Sequence, residues 1–352
     1  MPFRDIVGHR QVLGLISRAI ARDALAPSLI FAGPAGVGKR LAAVAVAQAF
    51  NCLSPHRTGA SPVAAASPLD AGALVLDACG TCSPCRRIER GSFPDVVTLE
   101  RPADKSAISV EQVRLATAEV AFRPFEGRRR IIIIDDASEL NDDGQDALLK
   151  SLEEPPPTAA FLLVTAWPDA LRPTIRSRCA RLRFGALQVS EVADYLVAHQ
   201  RLDPRAARTV ALVAGGSIGV AIQMADGSLG DEQALALDFL RRLALTRDEE
   251  GRLECAQALQ PRDKGPSVRQ RDDLAVHLRV LASLIRDAAA LASGAPADAL
   301  TNADLAGELE PLAATFGGAR AVRAFQAVER ALAALESNAS PKIVPDWLAL
   351  QL

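Results

Sequence analysis

The chain has 352 residues, 40 Lys+Arg against 42 Asp+Glu, a net charge of −2, 49% hydrophobic residues and only 4% aromatics. At about 100–200 residues per domain this length predicts two or three domains with real cores. The near-neutral charge argues against a free-standing nucleic-acid binder, and the absence of a long uninterrupted apolar run argues against a membrane span. The opening segment MPFRDIVGHR carries charges throughout and does not read as a secretory signal, so a cytoplasmic protein is expected. Along the first 185 residues, short apolar runs alternate with helical patterns. Strands are expected at Leu29–Ala32, Asp95–Leu99, Ile131–Ile134, Phe161–Thr165 and Arg181–Phe184. The Ile131 and Phe161 runs are continuously apolar, as strands covered on both faces of a parallel sheet should be. Helices are expected between them at Leu41–Asn51, Val110–Val120 and Asp143–Leu152, which together predict a doubly wound α/β domain. Residues 54–73 are rich in Ser, Pro, Ala and Gly and read as a mobile insertion. After residue 186 the strand signals stop. Helices are expected from N-caps Ser190 and Asp203, then a Gly215-Gly216 break, then an Ala-rich helical region with one long helix over Val268–Ala292.

Gly33-Pro34-Ala35-Gly36-Val37-Gly38-Lys39-Arg40 follows one predicted strand and opens a predicted helix, the context a phosphate-binding loop requires. Its glycines let backbone N–H groups curl around phosphates, and Lys39 would reach the outer ones. The alternative is a glycine turn that only packs strand against helix. The last position of the motif should be Ser or Thr, whose hydroxyl ligates Mg²⁺, but it is Arg40, which cannot ligate a cation. The Ile131–Ile134 run ends in Asp135-Asp136, where a hydrolase would carry Asp-Glu. Asp135 suits the cation-supporting role. Asp136 is one methylene short for polarising water, and its alternative role is to cap the next helix. ADP or ATP could be held at such a site without turnover.

Cys79, Cys82 and Cys85 form a CxxCxxC triplet, with Cys52 just after the loop helix. This spacing lets four thiolates converge on one structural Zn²⁺ and leaves no open position for catalysis. Free buried thiols or redox use are the alternatives. His56 is expected in solvent rather than on the metal, and Cys179 and Cys255 stand alone.

Ile6-Val7-Gly8-His9, the phosphate loop, the four cysteines, Glu126-Gly127-Arg128, Ile133–Ala137, Leu140-Asn141, the ALLKSLEEPP run Ala147–Pro156 and the TIRSRC run Thr174–Cys179 resemble bacterial clamp-loader subunits of the AAA+ class. The resemblance covers residues 3 to about 225, with Asn338–Lys342 echoing it later, and leans toward the delta-prime type rather than the gamma/tau motor. It implies three domains: a RecA-like core over 1–185 with a zinc module at about 52–85, a three-helix lid over 186–228, and a helical collar over 229–352. It implies a hetero-pentameric ring with gamma/tau and delta subunits, acting on a sliding clamp and primed DNA. It implies nucleotide contacts at Val7, Gly8, Gly33, Pro34, Gly36, Val37, Gly38, Lys39, Arg40, Asp135 and Thr165, the last at the family's sensor position. It further implies that Arg178 reaches into the ATP site of a neighbouring subunit.

A lid arginine expected of active members is missing from Gly216–Ala221. With Arg40 and Asp136 this points to a non-hydrolysing stator. The competing readings are an active gamma/tau-type ATPase, favoured by Lys39 and Asp135, and a zinc-dependent nucleic-acid-binding module, opposed by charge and the scarcity of aromatics. The Arg128-Arg129-Arg130 run is expected to be a solvated loop rather than a DNA contact.

Overall fold

The computed structural model describes residues 1–57, 72–102, 105, 107–226, 229–260, 267–336 and 339–352. Most of the insertion expected at 54–73, from residue 58 to 71, lies outside the described residues, as does Asn338. The chain divides into two compact units, Met1–Glu191 and Val192–Leu352.

In the first unit, α1 (Arg10–Ala21), β1 (Ser28–Ala32) and α2 (Lys39–Asn51) come first. A two-residue ribbon follows, β2 (His56–Arg57) antiparallel to β3 (Leu76–Asp77), and then α3 (Ser83–Glu89). Next come β4 (Val96–Leu99), α4 (Val110–Val120), β5 (Arg130–Asp135), α5 (Asp142–Glu153), β6 (Ala159–Thr165), α6 (Pro173–Arg176) and β7 (Ala180–Arg183). Strands β4-β5-β6-β1-β7 form one sheet in that order, every pair parallel. The five expected strands are all present, and the sheet is covered on both faces. Leu29, Phe31, Ile131, Ile133 and Leu162 pack with Leu13 and Ile16 of α1 and Ala42 and Val46 of α2. Ile30, Ile132, Ile134, Phe161 and Leu163 pack with Val113 and Ala116 of α4 and Leu148 and Leu152 of α5. Successive side chains leave a strand on opposite faces, so only strands buried on both sides need an unbroken apolar run. Ser109 closes the start of α4 with a reciprocal capping box to Gln112.

Two buried polar residues fix the end of the sheet opposite the phosphate loop. Asp95 is fully buried and accepts from the backbone N–H of Phe125 (2.7 Å), Glu126 (2.9 Å) and Gly127 (2.7 Å), and from the Arg130 guanidinium (3.0 Å). Asn51, at the end of α2, accepts from Arg128 N–H at 2.8 Å and Arg129 N–H at 3.1 Å. A Cβ on Gly127 would lie 2.5 Å from Asn51 Oδ1, so the Glu126-Gly127-Arg128 turn needs glycine at its centre. Arg128 is exposed, as a solvated loop would have it, but the two arginines after it are not. Arg130 is buried on Asp95, and Arg129 pairs with Asp23 at 2.6 Å while lying over the Phe50 ring. Burial raises the Asp95 carboxyl, but the three N–H donors and Arg130 outweigh it and hold it below its ordinary range. Its stabilisation is complete above about pH 4 and is lost as pH falls through the depressed value. Asp95→Ala should cost roughly 3–5 kcal/mol, because it strands Arg130 and three N–H groups. Chemical denaturation across pH 2–7 checks this; the variant should also show a flatter acid limb.

The second unit is helical. α7 (Val189–Tyr195) leads into it and continues as one wider turn over Leu196–Gln200. It starts a residue before Ser190, so Ser190 lies inside the helix rather than capping it; Gln188 precedes the helix and its N–H donates to the Glu191 carboxylate at 3.0 Å. Asp203 does cap α8 (Pro204–Val213), accepting from Arg205 and Ala206 N–H. Then follow α9 (Ile218–Asp226), α10 (Leu229–Leu245), α11 (Glu249–Ala256), α12 (Ser267–Ala292), α13 (Ala306–Ala313), α14 (Gly318–Glu336) and α15 (Ile343–Gln351). The long α12 is the spine, packed by α10, α13 and α14. Asp287 on it is buried and accepts from Thr301 N–H, Asn302 N–H and Asn302 Nδ2, while Gln233 of α10 donates to Asn302 Oδ1 at 2.7 Å. Among the described residues no helix is long and apolar enough to cross a membrane.

Candidate functional site: a phosphate loop and a four-cysteine cluster

Register brings the chemistry to one end of the sheet. Ala32 pairs with Thr165 and Asp135 with Val164, so the ends of β1, β6 and β5 sit side by side. The chain leaves β1 into the loop and enters α2 at Lys39, with left-handed φ of +72° at Gly36 and +101° at Gly38. Gly33 sits where a Cβ would fall 1.9 Å from Phe184 O, so that close approach of β7 to the loop admits glycine alone. The turn before α1 closes the other side. Gly8 (φ +68°) packs where a Cβ would meet Leu187 Cδ2 at 2.2 Å, Val7 precedes it half-buried, and His9 Nε2 bonds Val37 O at 2.8 Å. Burial keeps the His9 imidazole below its ordinary range.

Lys39 is buried, and its ammonium donates to the loop's own carbonyls, Gly33 O at 2.7 Å and Pro34 O at 2.6 Å. Arg40, beside it, turns across to the carboxylates. Its guanidinium pairs with Glu100, just past β4, and its Nε lies 3.6 Å from Asp135 Oδ2. Burial raises the Asp135 carboxyl to about 6, with Arg40 opposing and Asp136 and Glu100 reinforcing the rise. Asp136 is used up locally: its Oδ1 accepts from Ser138 N–H (2.9 Å) and Oγ (2.8 Å), capping a short turn at Ala137–Glu139. Thr165 is buried, with Oγ1 accepting from Trp167 N–H at 2.9 Å. These residues do not fit a magnesium ion. The ion needs an octahedral shell of oxygens, and the position that should supply a hydroxyl supplies a cation already facing the strand-end carboxylate.

Arg178 follows α6 on the surface. It donates to Thr174 O at 2.9 Å and pairs with Glu153 at 2.6 Å. Cys179 beside it is buried in the core, which lifts its thiol to about 12.

The four expected cysteines converge. The sulfurs of Cys52, Cys79, Cys82 and Cys85 all lie within 4.8 Å of one another. Four thiolates around a tetrahedral zinc at 2.3 Å stand about 3.8 Å apart, so this cluster needs only a slight contraction to hold one. Cys52 caps the end of α2 and Cys82 the start of α3. Backbone N–H groups point at sulfur, from Cys79 to Cys52 Sγ (3.2 Å) and from Cys82 to Cys79 Sγ (3.3 Å), as suits thiolate ligands. Burial raises the Cys52 and Cys85 thiols. At Cys79 burial is outweighed by the N–H groups of Cys82 and Thr81, bringing it to about 6. His56 is exposed in β2 and no part of the cluster. Arg4, which the sequence reading overlooked, binds the cluster's backbone through Ala78 O (2.8 Å) and Cys79 O (2.9 Å).

A parallel sheet whose inner strand feeds a glycine-lysine loop into a helix, with an acidic strand end two strands away across β6, defines a phosphate-loop α/β unit. Residues 8–188 match the family described as "DNA polymerase III, delta subunit", and residues 237–343 match "DNA polymerase III, delta subunit, C terminal". The chain belongs to this family of DNA polymerase III clamp-loader subunits. It is 31% identical over 262 residues to DNA polymerase III subunit tau of Escherichia coli, covering 67% of this chain and 37% of that one. It is 31% identical to subunit delta' of Bacillus subtilis, covering 57% of this chain and 54% of the relative. To delta' of Pseudomonas aeruginosa it is 33% identical, covering 50% of this chain and 48% of the relative. The chain thus spans about a third of the tau relative and about half of the delta' ones.

Proposed function

We propose that this chain is a delta-prime-type subunit of a cytoplasmic DNA polymerase III clamp loader, a stator that does not hydrolyse ATP. In this reading it takes its place in a hetero-pentameric ring with gamma/tau and delta subunits. It lends Arg178 to the ATP site of a neighbour, and the ring loads a sliding clamp on primed DNA. Residues 1–185 act as the core, 186–228 as the lid and 229–352 as the collar. The four cysteines hold a structural zinc whose chemistry is to tie the end of α2 to the start of α3; it takes no part in a reaction.

The observation that carries the reading is Arg40. Hydrolysis needs a divalent ion between loop and strand-end carboxylate, and the Arg40 guanidinium faces both Asp135 and Glu100 there. Asp136 is committed to capping, and residues 216–221 hold no arginine. Phosphate release by the purified chain, alone and with clamp and primed DNA, is the test. Release at background is expected. Turnover comparable to that of a motor subunit overturns the stator reading in favour of a gamma/tau-type ATPase, the reading supported by Lys39, Asp135 and the longer match to tau.

A further inference from the structure

We infer that the phosphate loop of this chain binds a nucleoside di- or triphosphate without a divalent cation, the Arg40 guanidinium replacing the ion. This rests on the reading of the loop as a nucleotide site. A phosphate-loop site ordinarily neutralises its polyphosphate with one lysine and one Mg²⁺ held between a loop hydroxyl and an acidic strand end. Here the hydroxyl is absent, and the strand end is already matched by a cation tethered to the first turn of α2. A guanidinium has five N–H donors and no acceptor, so it cannot help ligate an ion but can bind phosphate oxygens in bidentate fashion. An incoming Mg²⁺ would have to displace Arg40 from Asp135 and then sit against two positive side chains, Lys39 and Arg40. A polyphosphate meets the reverse situation, because its oxygens can take the place of Asp135 and Glu100 on a half-exposed guanidinium.

The burial of Asp135 agrees with this. A carboxyl raised toward neutrality is a weak ligand for a hard dication, and it holds its charge chiefly while Arg40 faces it. Glu100 is the counterweight. It is half-exposed and its charge draws Arg40 away from any incoming phosphate.

Calorimetric titration of ADP and ATP into the full chain tests this, with excess Mg²⁺ or in buffer freed of divalent ions on a chelating resin. The dissociation constants under the two conditions should agree within about twofold. Arg40→Thr should weaken binding about tenfold in the metal-free buffer and recover most of it with Mg²⁺, since a charge-assisted contact is exchanged for a hydroxyl that can ligate the ion. Glu100→Gln, at an exposed position, should tighten metal-free binding by about two- to fivefold. Wild-type binding that falls tenfold or more without Mg²⁺ overturns the inference. So does an Arg40→Thr chain indifferent to Mg²⁺, or a wild-type chain that binds no nucleotide under either condition. The stator reading has its own, separate tests: phosphate release by the chain and the effect of Arg178 on its neighbour.

Discussion

Replacing Arg178 with Ala should lower ATP turnover at the neighbouring site of a reconstituted clamp-loader ring by roughly 10³-fold, the lower end of what trans-acting arginine fingers contribute. The guanidinium is exposed and tied at home to Glu153 and the Thr174 carbonyl. Such a partly exposed pair is worth about 0–1 kcal/mol, so exchanging it for a neighbour's phosphate costs the fold little. For the same reason the Ala variant should fold and assemble normally. Arg178→Lys should not restore turnover, because a single ammonium lacks the fork that meets phosphate oxygens. Single-turnover phosphate release from the assembled ring, with size-exclusion chromatography to confirm assembly, decides the matter. Full turnover in the Ala variant rejects the finger.

The second large effect belongs to the cysteines. The purified chain should carry one zinc, and Cys85→Ser should lose it. The loss should cost of order 3–5 kcal/mol of stability, part of the roughly 10–16 kcal/mol that structural zinc supplies in isolated zinc fingers. The cost is smaller here because Cys52 and Cys85 are already buried between α2 and α3, and Gln48 of α2 holds Cys85 O at 2.8 Å. Elemental analysis by plasma mass spectrometry together with thermal unfolding measures both. A metal-free wild-type chain, or one with these thiols oxidised to disulfides, removes zinc from the account.

What the sequence revealed follows from which forces are local. Ile131–Ile134 and Phe161–Thr165 announce buried parallel strands because no alternation relieves their hydrophobicity. The cysteines announce a cluster because CxxC spacing puts two thiols within reach of one ion whatever the rest of the chain does. Asp136 shows its capping role in its position directly after a strand. The partners that complete each site carry no such mark. Glu100 and Glu153 are ordinary acidic residues until the sheet brings one to Arg40 and the other to Arg178. Asn51 and Asp95 are lone polar residues whose role is to hold a turn thirty residues or more away. The Arg128–Arg130 run misleads because charge alone cannot say which guanidinium finds a buried carboxylate.

Helix α2 carries the phosphate loop at its first residue and a cluster sulfur just past its last. Thirteen residues make a rod of about 20 Å, and Ala42, Ala43, Ala45, Ala47 and Ala49 along it are buried almost completely. A rod seated so tightly in the core has no room to bend, and its far end is clasped by Cys85 through Gln48 and by the 128–129 turn through Asn51. Loop and cysteine cluster are thus two ends of a single anchored strut. The position of Lys39 along the axis is set from below, by the clasp, rather than by the flexible glycines around it.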